Sequence, residues 1–262
     1  MSWAKRNRKW LEKARERWAP VDPEPLRVRA WLAAPVAWDT YDHLMIEGLL
    51  QFVVVMRETG RLPDDVFAGC ALDVPLEDTD IQVPIVDEVL PGCEVPIARA
   101  SAGWPSTDSV ASVRWRRSRP RGDRYGASVV NASSGNTKAM NLPAPVVVTQ
   151  FVDWWVYGDR AMIEDLLQDA PTVGGKRSGG LGYVHGWEVV PDEDWSWFGP
   201  SGRLMRALPA SYGPAQDATA YQLRVATVRA PYWHPRSRML CCVPIQRLGE
   251  SADVLPGGVS VG

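Results

Sequence analysis

The stretch TVGGKRSGGLGYVHGWEV, residues 172–189, joins a helical pattern to a strand pattern through a run in which five of the nine residues from Gly174 to Gly182 are glycine. Upstream, DRAMIEDLLQDA (159–170) reads as a short helix with Asp159 as its N-cap. Downstream, GYVHGWEVV (182–190) reads as a strand. Two known phosphate loops fail on this spacing. A P-loop needs a glycine where Ala170 stands and a Ser or Thr where Arg177 stands. A dinucleotide fingerprint needs glycine at His185 and a loop that follows a strand, whereas this one follows a helix. Glycines still let consecutive N–H groups converge and let a ligand approach the main chain closely. Lys176 and Arg177 add positive charge. The spacing alone leaves two readings open: a cradle for phosphodiester groups, or a surface turn whose glycines only permit the change of direction.

The rest of the order follows outward from that loop. PVVVTQFVDWWVYG (145–158) is β-branched and aromatic and reads as one strand. LRVRAWLA (26–33) alternates Leu26, Val28, Ala30 and Leu32 on one face. HLMIEGLLQFVVVMRETG (43–60) places apolar residues at 45, 46, 49, 50, 53 and 56, with Asp42 as the expected cap and Gly60 as the stop. Strand, helix, extended pieces, strand, helix, glycine loop, strand is β-α-β-β-α-β, the ferredoxin-like or RRM-like arrangement. It leaves one sheet face for a ligand or for further elements. The expected organisation is a basic helix and Pro-rich linker over 1–25, a palm over 26–190 with an insertion at about 61–145, and a β-rich part over 191–262. Within the insertion, ASVRWRR (111–117) reads as a strand; QLRVATVRAPYW (222–233) and MLCCVPI (239–245) supply late strands.

A formal net charge of -2 over 262 residues hides strong asymmetry. Residues 1–20 hold seven Lys/Arg against Glu12 and Glu16, and residues 114–124 hold six Arg against Asp123. Residues 64–94 hold nine acids and no base, a run that faces a basic partner or solvent. The four cysteines form no CxxC pair, which argues for reduced thiols, a cytoplasmic setting and no zinc site. Cys241-Cys242 on an apolar strand reads as core. No apolar run reaches the roughly 20 residues of a membrane span. The three histidines, His43, His185 and His234, do not cluster with acids, so neither a metal nor another cofactor is expected.

The segment GGKRSGGLGYV, between the second helix and the fourth strand, resembles the glycine-rich loop of the RAMP superfamily of CRISPR-associated proteins. LRVRAWLAAPVAWDTYDHLMIEGLL, RLMRALPA (203–210) and APYWHP (230–235) look like segments of the Cas five-like subunit of type IV CRISPR effector complexes. The resemblance implies an α+β fold: a ferredoxin-like (RRM-like) RAMP palm with an inserted arginine-rich finger and a β-rich C-terminal part. It implies a non-catalytic subunit that binds the 5′ handle of the CRISPR RNA and caps the backbone filament. Its partners would be that RNA, backbone-forming RAMP subunits and a large or large-like subunit, with target nucleic acid met only indirectly.

The RNA-contacting residues would be Gly174, Gly175, Lys176, Arg177, Ser178, Gly179, Gly180 and Gly182 in the loop. A finger would add Arg114, Arg116, Arg117, Arg119 and Arg121, since arginine both contacts phosphates and stacks on bases. Two alternatives stand beside this. One is a metal-independent endoribonuclease maturing precursor CRISPR RNA, with His43 and Tyr41 as its catalytic pair and Lys176 assisting. The other is a protein-only interaction module built on the 13 tryptophans.

Overall fold

The computed structural model describes residues 3–38, 44–67, 70, 75, 79–106, 109–117, 140–199, 202–212, 221–232 and 234–245. They form a mixed α+β structure with mostly antiparallel sheets. Helix α1 (Trp3–Trp18) leads into strand β1 (Pro23–Leu32) and a two-residue strand β2 (Val36–Ala37). Helix α2 (Ile46–Thr59) and a single turn α3 (Pro63–Val66) follow. Short strands β3 (Asp87–Glu88), β4 (Ile97–Ala98) and β5 (Trp104–Pro105) lead to the long pair β6 (Ser109–Arg117) and β7 (Met140–Val148). Strand β8 (Phe151–Asp159), helix α4 (Arg160–Leu167) and strand β9 (Val184–Pro191) complete the central part. Strands β10 (Leu208–Pro209), β11 (Tyr221–Thr227) and β12 (Arg238–Pro244) form a separate three-stranded sheet.

The central sheet runs β5-β8-β1-β9, and every neighbouring pair is antiparallel. Alternation in β1 places Leu26, Val28 and Ala30 wholly inside, as their spacing predicts. They pack with Val152, Trp154 and Val156 of β8 beneath α1, α2 and α4. The next residue along β8, Trp155, points to the opposite face and joins a second core with Trp104, Trp195, Trp197 and Leu208. The sheet face expected to be open to a ligand or to further elements is therefore largely taken by further elements.

Several boundaries differ from the sequence reading; the late strand read over 222–233, for one, ends at Thr227. The run 145–158 is two strands, not one: it breaks at Thr149 and Gln150. Thr149 Oγ1 accepts from Ser106 N and donates to Phe151 O, and Gln150 O accepts from Leu32 N, so the chain leaves one sheet and enters another there. Strand β1 starts at Pro23, inside the supposed linker. A residue's N–H and C=O point to the same strand edge, and Pro25 O accepts from Asp192 N just past the end of β9. The missing proline N–H thus falls where β9 has run out, so the ladder loses nothing. Helix α2 begins at Ile46 with Met45 as N-cap and no side-chain cap bond; the expected cap, Asp42, lies outside the described residues. At the other end Gly60 stops the helix in the left-handed region, donating to Met56 O at 2.8 Å. The Asp159 cap forms as expected, accepting from Met162 N at 3.1 Å.

The basic helix α1 is docked rather than projecting. Leu11, Ala14 and Trp18, at i, i+3 and i+7, are buried against α2. Lys13 and Arg17 reach Glu58 at 3.1 and 3.2 Å, and Trp18 Nε1 donates to the same carboxylate. Part of the acidic run is likewise consumed inside the protein. Asp80 and Asp87 bind Arg229 at 2.7 and 3.0 Å. Although burial opposes it, their charges hold the guanidinium pKa above its ordinary value.

Candidate nucleic-acid interface

The glycine loop is closed at its base by backbone alone. Thr172 bridges Tyr183, Val173 N donates to Gly182 O at 2.8 Å, and Val184 N donates to Pro171 O at 2.9 Å. Gly182 N in turn donates to Pro35 O. Gly182 is buried with φ +67, and a Cβ there would fall 1.8 Å from Val173 O. Gly174, with φ +75, sits so close to Val36 and Ala37 that a Cβ would meet the Val36 side chain at 2.6 Å. These two glycines build the loop. Gly175 and Gly180 are different: both are exposed, Gly180 has nothing within 4 Å of a Cβ, and Gly175 meets only Ala37 O at 3.9 Å.

Between the glycines Lys176 itself is left-handed, φ 53 and ψ 33, a conformation that costs a residue with a side chain about 1–2 kcal/mol. It caps a single 3-10 turn, Arg177–Gly179, which carries Ser178 at its centre. Gly179 N and Gly180 N close it onto Lys176 O and Arg177 O. Lys176, Arg177, Gly179 and Gly180 are exposed, and the Arg177 guanidinium lies 4.2 Å over the Phe52 ring of α2.

Strand β2 joins this loop to the arginine-bearing segment. On one edge Ala37 bridges Gly175, whose N–H donates to Ala37 O at 3.2 Å. On the other edge Val36 and Ala37 pair with Val147 and Val146 of β7. Strand β7 then pairs with β6 over nine positions, placing Arg114 opposite Pro143, Arg116 opposite Asn141 and Arg117 opposite Met140. The loop 172–183 and strand β7, far apart in the chain, thus flank a two-residue strand, and the arginines of β6 lie one strand beyond β7. Arg114 is exposed on β6. Arg119 and Arg121 lie outside the described residues, as do Tyr41 and His43. His185 is exposed, at the irregularity where β1 shifts its pairing with β9 between Trp31 and Leu32. His234 is buried and accepts from Arg236 N through Nδ1, a packing role.

Lys176 and Arg177 stand on the lip of a cleft of about 510 Å³. Its walls come from Trp38, from Leu44, Leu49 and Phe52 of α2 and its approach, from Pro145 of β7 and from Tyr232. The Tyr232 ring lies on Gly48, where a Cβ would meet it at 2.8 Å. Burial of its hydroxyl and the neighbouring Glu47 charge push the phenol well above its ordinary pKa. Glu47 is itself paired at 2.9 Å with Arg206, which is wholly buried and also donates to Ala98 O, Ala100 O and Val228 O. The cleft wall is thereby fixed from behind. A second apolar hollow of about 560 Å³ lies on the other side of Tyr232 and shares Gly48 and Phe52.

Sequence reasoning singled out the loop and the arginines but not Trp38, Gly48, Phe52 and Tyr232, which line the cleft beside the loop. One signal was present: Phe52, Val54 and Val55 are apolar but lie off the predicted stripe of α2, so a second face needs cover. Of the residues assigned to the core stripe, Leu49 is half-buried against the core and also lines the cleft, and Met56 faces solvent instead. No group of three or more His, Cys, Asp or Glu suited to a metal occurs among the described residues. Cys241 and Cys242 are buried thiols, and burial raises Cys241 to about 11. Among the described residues no helix is long and apolar enough to cross a membrane.

The family model of the CRISPR type IV associated protein Csf3 matches residues 107–244, just over half of the chain. The match begins at the β6–β7 hairpin and takes in β8, the glycine loop and β12. No curated protein matches the chain.

Proposed function

The chain belongs to the type IV CRISPR-associated Csf3 family, and from that premise we propose that it is a non-catalytic RNA-binding subunit of a type IV CRISPR ribonucleoprotein. In this reading it holds the 5′ handle of the CRISPR RNA and caps the backbone filament, next to backbone-forming RAMP subunits and a large or large-like subunit. The sheet order β5-β8-β1-β9, with α2 and α4 on one face, is that of a split β-α-β palm and supports a ferredoxin-like RAMP assignment. The β6–β7 hairpin is then the arginine-rich finger.

One observation carries the proposal. The exposed, side-chain-poor part of the glycine loop, with Lys176 and Arg177, is bonded to one edge of β2, and the arginine-bearing hairpin is bonded to the other. Open backbone at Gly175, Gly179 and Gly180 admits close approach, and the two cations answer phosphate charge. A strand lying along β2 would meet both.

The test is a salt titration of CRISPR RNA binding by the co-expressed complex. Lys176→Glu with Arg177→Glu should weaken binding and reduce the slope of log K against log salt by about 0.7 for each phosphate that is no longer neutralised. Unchanged affinity and slope would remove the loop from the interface.

A further inference from the structure

We infer that the cleft beside the glycine loop receives one unpaired base of the bound RNA, while the attached phosphate rests on Lys176 and Arg177. This rests on the RNA-binding reading above but adds a ligand group and a mode of recognition to it. A phosphodiester backbone alone needs cations and open main chain, and has no use for an apolar interior. The interior here is apolar and aromatic: Trp38, Leu49, Phe52, Pro145 and the Tyr232 ring, with positive charge on the lip. At about 510 Å³ the cleft falls in the range of sites that take small flat ligands, about 300–1,000 Å³. A ligand that is apolar and planar in its body and anionic at its edge matches both halves of the site. A nucleotide has that form; an apolar protein side chain satisfies only the interior.

The mode of reading follows from the polar groups. The Tyr232 hydroxyl is buried beside the Glu47 charge, and the Arg177 guanidinium lies 4.2 Å from the Phe52 ring centroid. The cleft therefore recognises a base by stacking and shape, which tolerates any sequence but favours the larger face of a purine. It also demands that the base be unstacked, because a paired base cannot leave its duplex without losing its partner.

The experiment scans the handle of the CRISPR RNA with single abasic substitutions and measures binding by the assembled complex. One position should lose roughly five- to hundredfold in affinity, the loss expected when one stacked base is removed. Leu49→Trp fills the cleft from α2. It should weaken wild-type RNA, abolish the penalty at that one abasic position, and leave the salt slope intact. Should Leu49→Trp fail to assemble, Phe52→Leu keeps apolar bulk but removes the flat face under Arg177, and the abasic penalty should shrink in the same way. An abasic scan without a position-specific loss, in a complex whose salt slope still depends on Lys176 and Arg177, overturns this inference and leaves the RNA-binding reading standing. A slope independent of those two residues overturns both. Loss of subunit assembly by both Leu49→Trp and Phe52→Leu, with each isolated variant subunit as stable as the parent in a urea melt, would assign the cleft to a protein partner and overturn the inference.

Discussion

At the scale of single residues, the glycines of the loop separate into two kinds, and substitution distinguishes them. Gly182→Ala puts a methyl against Val173 O in a left-handed residue, so it should lower stability by about 2–4 kcal/mol through strain and broken loop bonds. Gly175 has ordinary φ and an unobstructed Cβ direction. Gly175→Ala should leave the unfolding free energy from a urea melt within about 0.5 kcal/mol of the parent yet weaken RNA binding, because it fills the space of close approach. If Gly175→Ala binds RNA as the parent does, the backbone at that point does not touch RNA. Lys176 offers a finer separation. Lys176→Gly removes both charge and left-handed strain, so the loop should persist while the salt slope falls. The loop's residue types were legible in the chain, since glycine and cation are local facts. The division of labour was not, because Val173, Val36 and Ala37 determine it and only the fold brings them near.

At the scale of elements, α1 shows how a basic helix can be held by one acid. Glu58 is almost completely covered by α1. Although burial opposes it, the bonds from Lys13 and Trp18 and the charges of Lys13 and Arg17 hold its carboxyl below the ordinary glutamate value, about 4.3. A depressed folded pKa means stability that is present above the unfolded value and lost as pH falls through the folded one. Amide exchange in α1 should therefore accelerate below about pH 4, and Glu58→Gln should show fast exchange already at neutral pH. Equal α1 protection in both proteins at pH 7 would exclude this pair as the anchor. Helices and long strands were readable here, because apolar periodicity is written into each segment: Leu26, Val28 and Ala30 are inside as spaced. Strand β2 was not readable. Two residues carry no period, and Val36–Ala37 become a strand only because β7 and Gly175 come to either side. The division of 145–158 into β7 and β8 escaped for a related reason: Thr149 and Gln150 turn the chain through bonds to Ser106 and Leu32, which the local sequence does not reveal.

At the scale of the whole molecule, adjacent residues Trp154 and Trp155 feed two cores on opposite faces of one sheet, and Arg206 ties them together. Its guanidinium joins Glu47 of α2 to carbonyls at 98, 100 and 228. Removing one member of a buried pair leaves the other charge uncompensated, so Arg206→Met should cost about 3–5 kcal/mol in a urea melt of the complex or the subunit. A loss below about 1 kcal/mol would show that the two cores hold without it. Arg206 stands within RLMRALPA (203–210), but nothing there marked its burial or its pairing, since its carboxylate partner lies 159 residues away. The whole protein is also where the question of catalysis is decided. Repeat RNA incubated with it in EDTA should remain intact; cleavage that disappears in His43→Ala would replace the non-catalytic reading with the endoribonuclease one.

Strand β2 has a consequence for what the protein measures. Because Ala37 is bonded on both edges, the loop and the β6–β7 hairpin cannot drift apart independently; a tilt of one is handed to the other. An RNA segment gripped at both points would be spanned as by a fixed caliper. Insertion of a nucleotide between the two grips should then be felt as a misfit in length, whatever its base.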